Sequence, residues 1–308
     1  MRLLFAGTPE PALVSLRAIL ESGRHDVVGV LTRPPARAGR GRRLQPTPVA
    51  EVAAEHGLPV LSPNRPSDPE FLAALADLAP DVAPIVAYGG LIPPAALAVP
   101  RLGWVNLHFS LLPAWRGAAP AQHALIAGDD ITGASAFRLE EGLDTGPVYG
   151  VVTEQIQPRD TAGSLLGRLA HSGAQLLLAT LDGLAAGRLQ ARPQATDGVS
   201  HAPKLGPEDS HIQWSAPAVA VDRLVRGCTP APGAWTTADG QRLRLGPVLP
   251  LYTEHGLRPG ELRAARSEVL VGTGTHALQL DEVQPAGRRA MPAAAWLRGL
   301  RTPPAGLS

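Results

Sequence analysis

The chain has 308 residues, 44% apolar and 18% charged, enough for a sizeable core in one large domain or two. Glycine (33) and proline (32) together make up about a fifth of it, below the roughly 25–30% that marks low-complexity disorder. A net charge of +1 demands neither nucleic acid nor membrane, and the single cysteine, Cys228, excludes a disulfide framework and cysteine-cluster metal sites and reads as a packed core thiol.

Arg2 to Ala6 reads as a short strand, turned by Gly7-Thr8-Pro9 into a helix carrying Leu13, Leu16 and Leu20. Its apolar run is too short for a signal core. Asp26 to Thr32 is β-branched and continuous, in the manner of a buried parallel strand. Five arginines follow within eleven acid-free residues: Arg33, Arg37, Arg40, Arg42 and Arg43. Pro48 to His56 and Glu70 to Leu78 suit helices, and Asp81 to Tyr88 a strand. Val82 to Pro100 carries no charge over 19 residues, nominally enough to span a bilayer. Pro84, Pro93, Pro94, Pro100 and Gly89-Gly90 would leave too many backbone groups unpaired in lipid, so a buried strand and a turn are expected. With no targeting or spanning segment found, the chain is expected to be cytoplasmic. Trp104 to Phe109 is the next strand, and Leu165 to Leu184 the longest helical pattern.

Strands alternating with helices predict a doubly wound, mainly parallel α/β sheet in the Rossmann-like manner. Near residue 190 the texture changes. Residues 1–189 are expected to form the catalytic domain, 190–206 a linker, and 207–308 a small β domain. In that last part short runs recur at Arg242 to Leu245, Glu261 to Arg263, Glu268 to Val271 and Leu278 to Val283, separated by turn residues, which suits a small barrel or sandwich.

Three polar residues stand in apolar surroundings: Asn106, His108 and Asp144. Residues i and i+2 of a strand share a face, so Asn106 and His108 point one way and Val105, Leu107 and Phe109 the other. The strand then ends in Ser110-Leu111-Leu112-Pro113, and ligand sites in open α/β sheets lie at the carboxyl ends of strands. Asp144 sits in Gly142-Leu143-Asp144-Thr145-Gly146, a turn able to carry a carboxylate to the same mouth. An amide, an imidazole and a carboxylate suit acyl transfer to an amine: one polarises a carbonyl, one exchanges protons, one orients the imidazole or a water. The same residues read equally as a satisfied edge histidine, a structural asparagine and an Asx-turn aspartate. A Ser110/His108/Asp144 hydrolase is conceivable, but Ser110 lacks a nucleophile elbow. The chain has no G-x-G-x-x-G, no P-loop and no zinc-spaced histidines.

Asn106-Leu107-His108-Phe109-Ser110-Leu111-Leu112-Pro113, then Arg116-Gly117-Ala118-Ala119-Pro120, then Gly142 to Gly146, resemble the signature of folate-dependent formyltransferases in order and spacing. The resemblance extends over essentially the whole chain, through Phe5 to Glu10, Ala38 to Leu44, Val86 to Gly89, Ala202 to Leu205, Ile212 to Ser215, Pro230 to Trp235 and Gln284 to Met291. Within the family it is similar to the branch whose acceptor is initiator methionyl-tRNA. The resemblance implies a formyltransferase fold with a C-terminal OB-like β-barrel. It implies transfer of a formyl group from 10-formyltetrahydrofolate to the methionine amino group for translation initiation, by a monomer without metal and without membrane contact. Asn106 and His108 would then stabilise the oxyanion of the tetrahedral intermediate, and Asp144 would position His108 and a water. Folate would lie along Ala87, Tyr88 and Gly89, the turn Ser110, Leu111, Leu112 and Pro113, and Glu140 and Gly142. Arg37, Arg40, Arg42, Arg43 and Lys204 would contact tRNA. Trp235 reads equally as core or as a tRNA contact. Two residues depart from the family pattern: Phe109 replaces a usual Gly or Ala, and Ala114 a frequent Arg or Lys.

Three rival readings stay open. An amino-sugar formyltransferase or a formyltetrahydrofolate hydrolase would use the same trio. An RNA-binding module would carry the signature as a vestige. The arginine loop and the matching C-terminal part favour tRNA.

Overall fold

The computed structural model of the protein describes residues 1–38, 43–265 and 268–308. Two compact units divide the chain: Met1–Pro120, Ile131–Gln155 and Leu166–Ala202 make the first, and Ala121–Asp130, Ile156–Leu165 and Pro203–Ser308 the second.

The first unit is built on a seven-stranded sheet. In chain order its elements are β1 (Arg2–Gly7), α1 (Glu10–Ser22), β2 (Asp26–Leu31), the short pair β3 (Ala36–Ala38) and β4 (Arg43–Gln45), α2 (Pro48–Glu55), β5 (Val60–Leu61), α3 (Pro69–Leu78), β6 (Ala83–Val86), α4 (Pro94–Leu97) and β7 (Trp104–His108). After α5 (Pro120–Ala127), which but for Pro120 belongs to the second unit, come β8 (Ile131–Arg138), β9 (Val148–Gln155) and α6 (Ala162–Ala185), whose first four residues also belong to the second unit. The spatial order is β5-β2-β1-β6-β7-β8-β9, parallel from β5 to β7 and antiparallel for β8 and β9. The chain therefore leaves the centre at β1, runs to one edge, then returns to β6. Helices form where the sequence supplies their ends. Gly23 closes α1 in the left-handed conformation at φ 61°, and Thr47 caps α2 by accepting from the Ala50 N–H at 3.2 Å, with Pro48 at the first helical position.

Both sheet faces are covered, so the parallel strands are continuous apolar runs rather than alternating ones. Leu4, Ala6, Ile85 and Trp104 pack with Phe71, Leu75 and Ala96. On α6, buried Leu165, Leu169, Leu177 and Leu181 follow a four-residue spacing. Gly173 completes that stripe, and a methyl group there would come within 3.0 Å of the Leu107 side chain. Leu107 thus faces α6. The uncharged stretch from Val82 to Pro100 is β6 followed by turns and α4, and among the described residues no helix is long and apolar enough to cross a membrane.

The second unit contains α7 (Ala218–Gly227), β10 (Trp235–Ala238), β11 (Gln241–Leu245), β12 (Val248–Leu251), β13 (Leu262–Ala264), β14 (Val269–Gly272), β15 (Ala277–Leu280), β16 (Glu282–Pro285), β17 (Met291–Pro292) and α8 (Ala293–Arg298). They form two four-stranded antiparallel sheets, β10-β11-β16-β17 and β12-β15-β14-β13, around Trp214, Val225, Leu243, Leu278, Val283 and Trp296. This small β domain is compatible with the expected barrel. The run from Leu278 to Val283, expected as one strand, is split between β15 and β16. Cys228 is a buried core thiol, as expected, with its pKa pushed up to about 11 by burial and by the nearby Asp209 carboxylate. Trp235 stands between His211, whose ring centroid lies 4.3 Å away, and the Arg242 guanidinium, 4.3 Å above the ring, while its N–H donates to the Pro207 carbonyl.

Candidate active site

β7 carries the two strand residues of the trio. Val105 and Leu107 are buried, Asn106 is half-buried and His108 is 6% exposed. Across the antiparallel pair, Phe137 of β8 stands opposite Asn106 and Ser135 opposite His108, and the Phe137 ring meets the imidazole edge-on at 6.4 Å. Beyond the strand the chain turns tightly. Ser135 Oγ donates to the Ser110 carbonyl at 2.7 Å and accepts from the Leu112 N–H at 3.0 Å, and Ser110 Oγ donates to the Ala114 carbonyl at 2.6 Å. Ser110 is fully buried with its hydroxyl committed to this turn, an unsuitable nucleophile. Phe109 is buried at the strand end.

Asp144 arrives by an unexpected route. β8 runs against β7 with Arg138 paired to Val105, so the loop from 139 to 147 starts near the amino end of β7. It folds back along the sheet and sets Asp144 Oδ2 3.7 Å from His108 Nδ1. Asp144 is 8% exposed and holds a left-handed backbone at φ 51°. The same carboxylate oxygen accepts the Gly117 N–H at 2.8 Å. The other imidazole nitrogen, Nε2, lies 2.8 Å from the Trp115 carbonyl. A carbonyl only accepts, so Nε2 carries the hydrogen and Nδ1 of the neutral ring presents its lone pair toward Asp144. At 3.7 Å the pair is too long for a direct hydrogen bond. Burial holds the His108 pKa below the ordinary imidazole value, with the Asp144 charge and the Trp115 carbonyl acting the other way.

Three residues outside the predicted set complete this shell. The Gln194 amide donates to the Asp144 carbonyl at 2.7 Å and to the Gly146 carbonyl at 2.8 Å. Its oxygen accepts from Arg116 Nε at 3.2 Å and from Nη2 at 2.7 Å. Gly117 needs its φ of 129°, and a side chain there would meet the Ala202 carbonyl at 2.5 Å. Sequence reasoning missed Gln194 because it lies in an aperiodic, proline-containing stretch; the signature motif pointed to the 116–120 segment without giving it a role.

The other predicted residues divide by place. Ala87, at φ 47°, and Gly89, at φ 79°, are exposed just beyond β6, while the Tyr88 side chain is buried and its carbonyl accepts the Thr8 hydroxyl at 2.7 Å. That bond ties the ends of β1 and β6, where the strand order reverses and open α/β sheets bind ligands. Leu111, Leu112 and Pro113 are half-buried in the turn after β7, and Glu140 and Gly142 are exposed on the returning loop. Two large apolar side chains are exposed on the same loops: Leu91 at 87% and Leu143 at 58%. Arg37 and Arg43 lie in the β3–β4 pair, and Arg40 and Arg42 lie outside the described residues. Lys204 is exposed in the second unit.

The formyl transferase family pattern matches residues 1–181, and the pattern of the formyl transferase C-terminal domain matches residues 204–301. The chain is 62% identical over 301 residues to a methionyl-tRNA formyltransferase of Thermobifida fusca, covering 98% of this chain and 97% of that one. Among solved structures it is similar to HypX from Aquifex aeolicus in complex with tetrahydrofolic acid, with a TM-score of 0.69 at 18% identity over 96% of this chain and 46% of that one. It is also similar to an N-formyltransferase from Helicobacter canadensis in complex with folinic acid and dTDP-3-aminofucose, with a TM-score of 0.67 at 12% identity over 92% and 98%. At those identities the two structures show a shared fold alone.

Proposed function

Because this chain belongs to the formyl transferase family, we propose that it formylates the amino group of methionine on initiator methionyl-tRNA, with 10-formyltetrahydrofolate as donor. The carrying observation is the return of Asp144 onto His108 beside Asn106, in a chain whose close relatives bear that activity. The amino-sugar alternative rests on far more distant likeness.

The residues supply the following steps. The free amine of an aminoacyl ester, less basic than a lysine, attacks the formyl carbon and forms the new C–N bond. Asn106 donates to the oxygen as it becomes an oxyanion. His108 Nδ1 takes the proton released by the amine, and the resulting imidazolium is stabilised by Asp144 and by the Trp115 carbonyl. The proton then passes, through a water held by Asp144, to the folate nitrogen as its bond to the formyl carbon breaks. The products are formylmethionyl-tRNA and tetrahydrofolate.

Folate lies across the loops after β6 and β7 and the returning 140–144 loop. Residues 1–189 carry the chemistry, with the stretch up to Ala202 supporting the site, and 207–308 contribute to tRNA contact, together with Lys204 and the arginines at 37, 40, 42 and 43. The reaction takes place in the cytoplasm, where translation supplies the acceptor. The test offers 10-formyltetrahydrofolate with charged initiator tRNA, uncharged tRNA, an amino-sugar nucleotide or buffer. Formylmethionine formed only with charged tRNA supports the reading. Formyl loss in buffer or transfer to the sugar refutes it.

A further inference from the structure

Asp144 is the one member of the trio not held by a strand. Its loop returns over the sheet from the far end of β8, and its backbone is in the left-handed region at φ 51°, a conformation uncommon outside glycine, asparagine and aspartate. Something must fix it. The contacts that do so come from the stretch that follows α6. Arg192 pairs with Val148 at the end of the Asp144 loop, through bonds of 2.7 and 2.8 Å. Gln194 then bonds two carbonyls of that loop, at 144 and 146, and accepts the Arg116 guanidinium. Ser200 and Ala202 next bind the segment on the other side of the imidazole. The Arg116 N–H donates to the Ser200 carbonyl at 2.9 Å, the Ala202 N–H to the Arg116 carbonyl at 2.7 Å, and the Trp115 N–H to Ser200 Oγ at 2.9 Å.

We propose that Gln194 is a positioning residue for formyl transfer: its amide clamps the Asp144 loop to the Arg116 segment, so that Gly117 N–H and His108 meet the same carboxylate. The amide suits the task because it has two donors on one side and an acceptor on the other. The two N–H groups are both spent on the loop, and the oxygen faces a guanidinium. No other side-chain type of this size offers that set. Gln194 touches neither the imidazole nor any reacting atom, so its effect runs through Asp144. A misplacement of about 1 Å in such a shell can cost on the order of a hundredfold in rate.

This inference rests on the functional reading above, and one experiment separates the two. Gln194→Glu keeps the shape and the oxygen facing Arg116 but removes both donors. Steady-state formyl transfer to methionyl-tRNA is measured for wild type, Gln194→Glu, Gln194→Ala, Asp144→Asn and Asp144→Asn/Gln194→Glu, with unfolding midpoints. The expected result is a kcat lowered about tenfold or more in both Gln194 variants, with KM for each substrate within about twofold and the unfolding midpoint retained. In the Asp144→Asn background the Gln194→Glu change should then cost less than about twofold, because its route is already broken. Wild-type kcat in Gln194→Glu overturns the proposal. So does a loss that multiplies fully onto Asp144→Asn, or one that tracks a fallen unfolding midpoint. A wild-type protein that does not formylate methionyl-tRNA overturns the functional reading itself.

Discussion

At His108 the two ring nitrogens have separate duties. Nε2 is tied to the Trp115 carbonyl, which leaves Nδ1 as the only site for an incoming proton. His108→Ala should therefore lower transfer about 10²- to 10⁴-fold, the usual range for a positioned acid–base group, while KM for folate and tRNA changes little. If that variant keeps the wild-type rate, the imidazole has no part in the chemistry. The pH dependence follows from burial. If the neutral ring is the base in the proposed transfer, its lowered folded pKa predicts an acid limb of kcat/KM with its midpoint below the ordinary 6.5. Asp144 raises that value, so Asp144→Asn should move the midpoint lower still, in a slower enzyme. Asn106 and His108 were legible because strand alternation placed them on one face, and their partner was legible from its glycine-bracketed turn. Trp115, Gly117 and Gln194 were not, because they act through backbone groups or from an aperiodic stretch, which leave no periodic trace in side-chain identity.

The turns after β7 and β8 set the geometry that the strands cannot. Gly117 combines a φ of 129° with a 2.5 Å approach to the Ala202 carbonyl. Gly117→Ala should cost about 1–3 kcal/mol of stability from backbone strain and also lower kcat, since the shifted N–H releases Asp144. Calorimetry and the transfer assay read the two effects separately. A normal kcat in a folded Gly117→Ala protein would deny that bond a role. Four of the five parallel strands announced themselves as apolar runs, β2 by its β-branched residues, while the two-residue β5 was too short to leave a pattern. β8 and β9 did not: ITGASAFR alternates small residues, and Gly133 admits the Val152 carbonyl and Leu111 where a side chain would otherwise stand. In the second unit, α7 has Pro217 before it and mixed polarity, and escaped the strand-directed pattern.

At the scale of the whole molecule, each unit has its own polar and apolar supports. In the second, buried Arg226 binds Asp222 at 2.8 Å and the Asp160 carbonyl at 3.1 Å, and Arg159 reaches the same Asp222 at 3.3 Å. Asp222→Ala strands a buried guanidinium and should cost about 3–5 kcal/mol, read as a fall in the unfolding midpoint. An unchanged midpoint would mean that water reaches Arg226. The charge of the whole chain is nearly balanced, yet five arginines and no acid fall within 33–43. If Arg40 and Arg42 meet phosphates, replacing either by alanine should weaken tRNA binding and lower the salt slope by about one unit. A slope that stays put would assign the loop to another task.

The bonds from Gln194, Ser200 and Ala202 also set a timetable for biosynthesis. Asp144 waits for a residue 50 positions downstream, and Trp115 for one 85 positions downstream. Contacts so distant along the chain close late in folding. On a ribosome, β1 to β7 can pair while the rest is still being made, and Gly117 is at hand for the carboxylate, but the backbone of the Asp144 loop lacks its Gln194 bonds until that residue has cleared the exit tunnel. A nascent chain halted near 190 would hold nearly all of the sheet and lack the Arg192 and Gln194 bonds to the Asp144 loop.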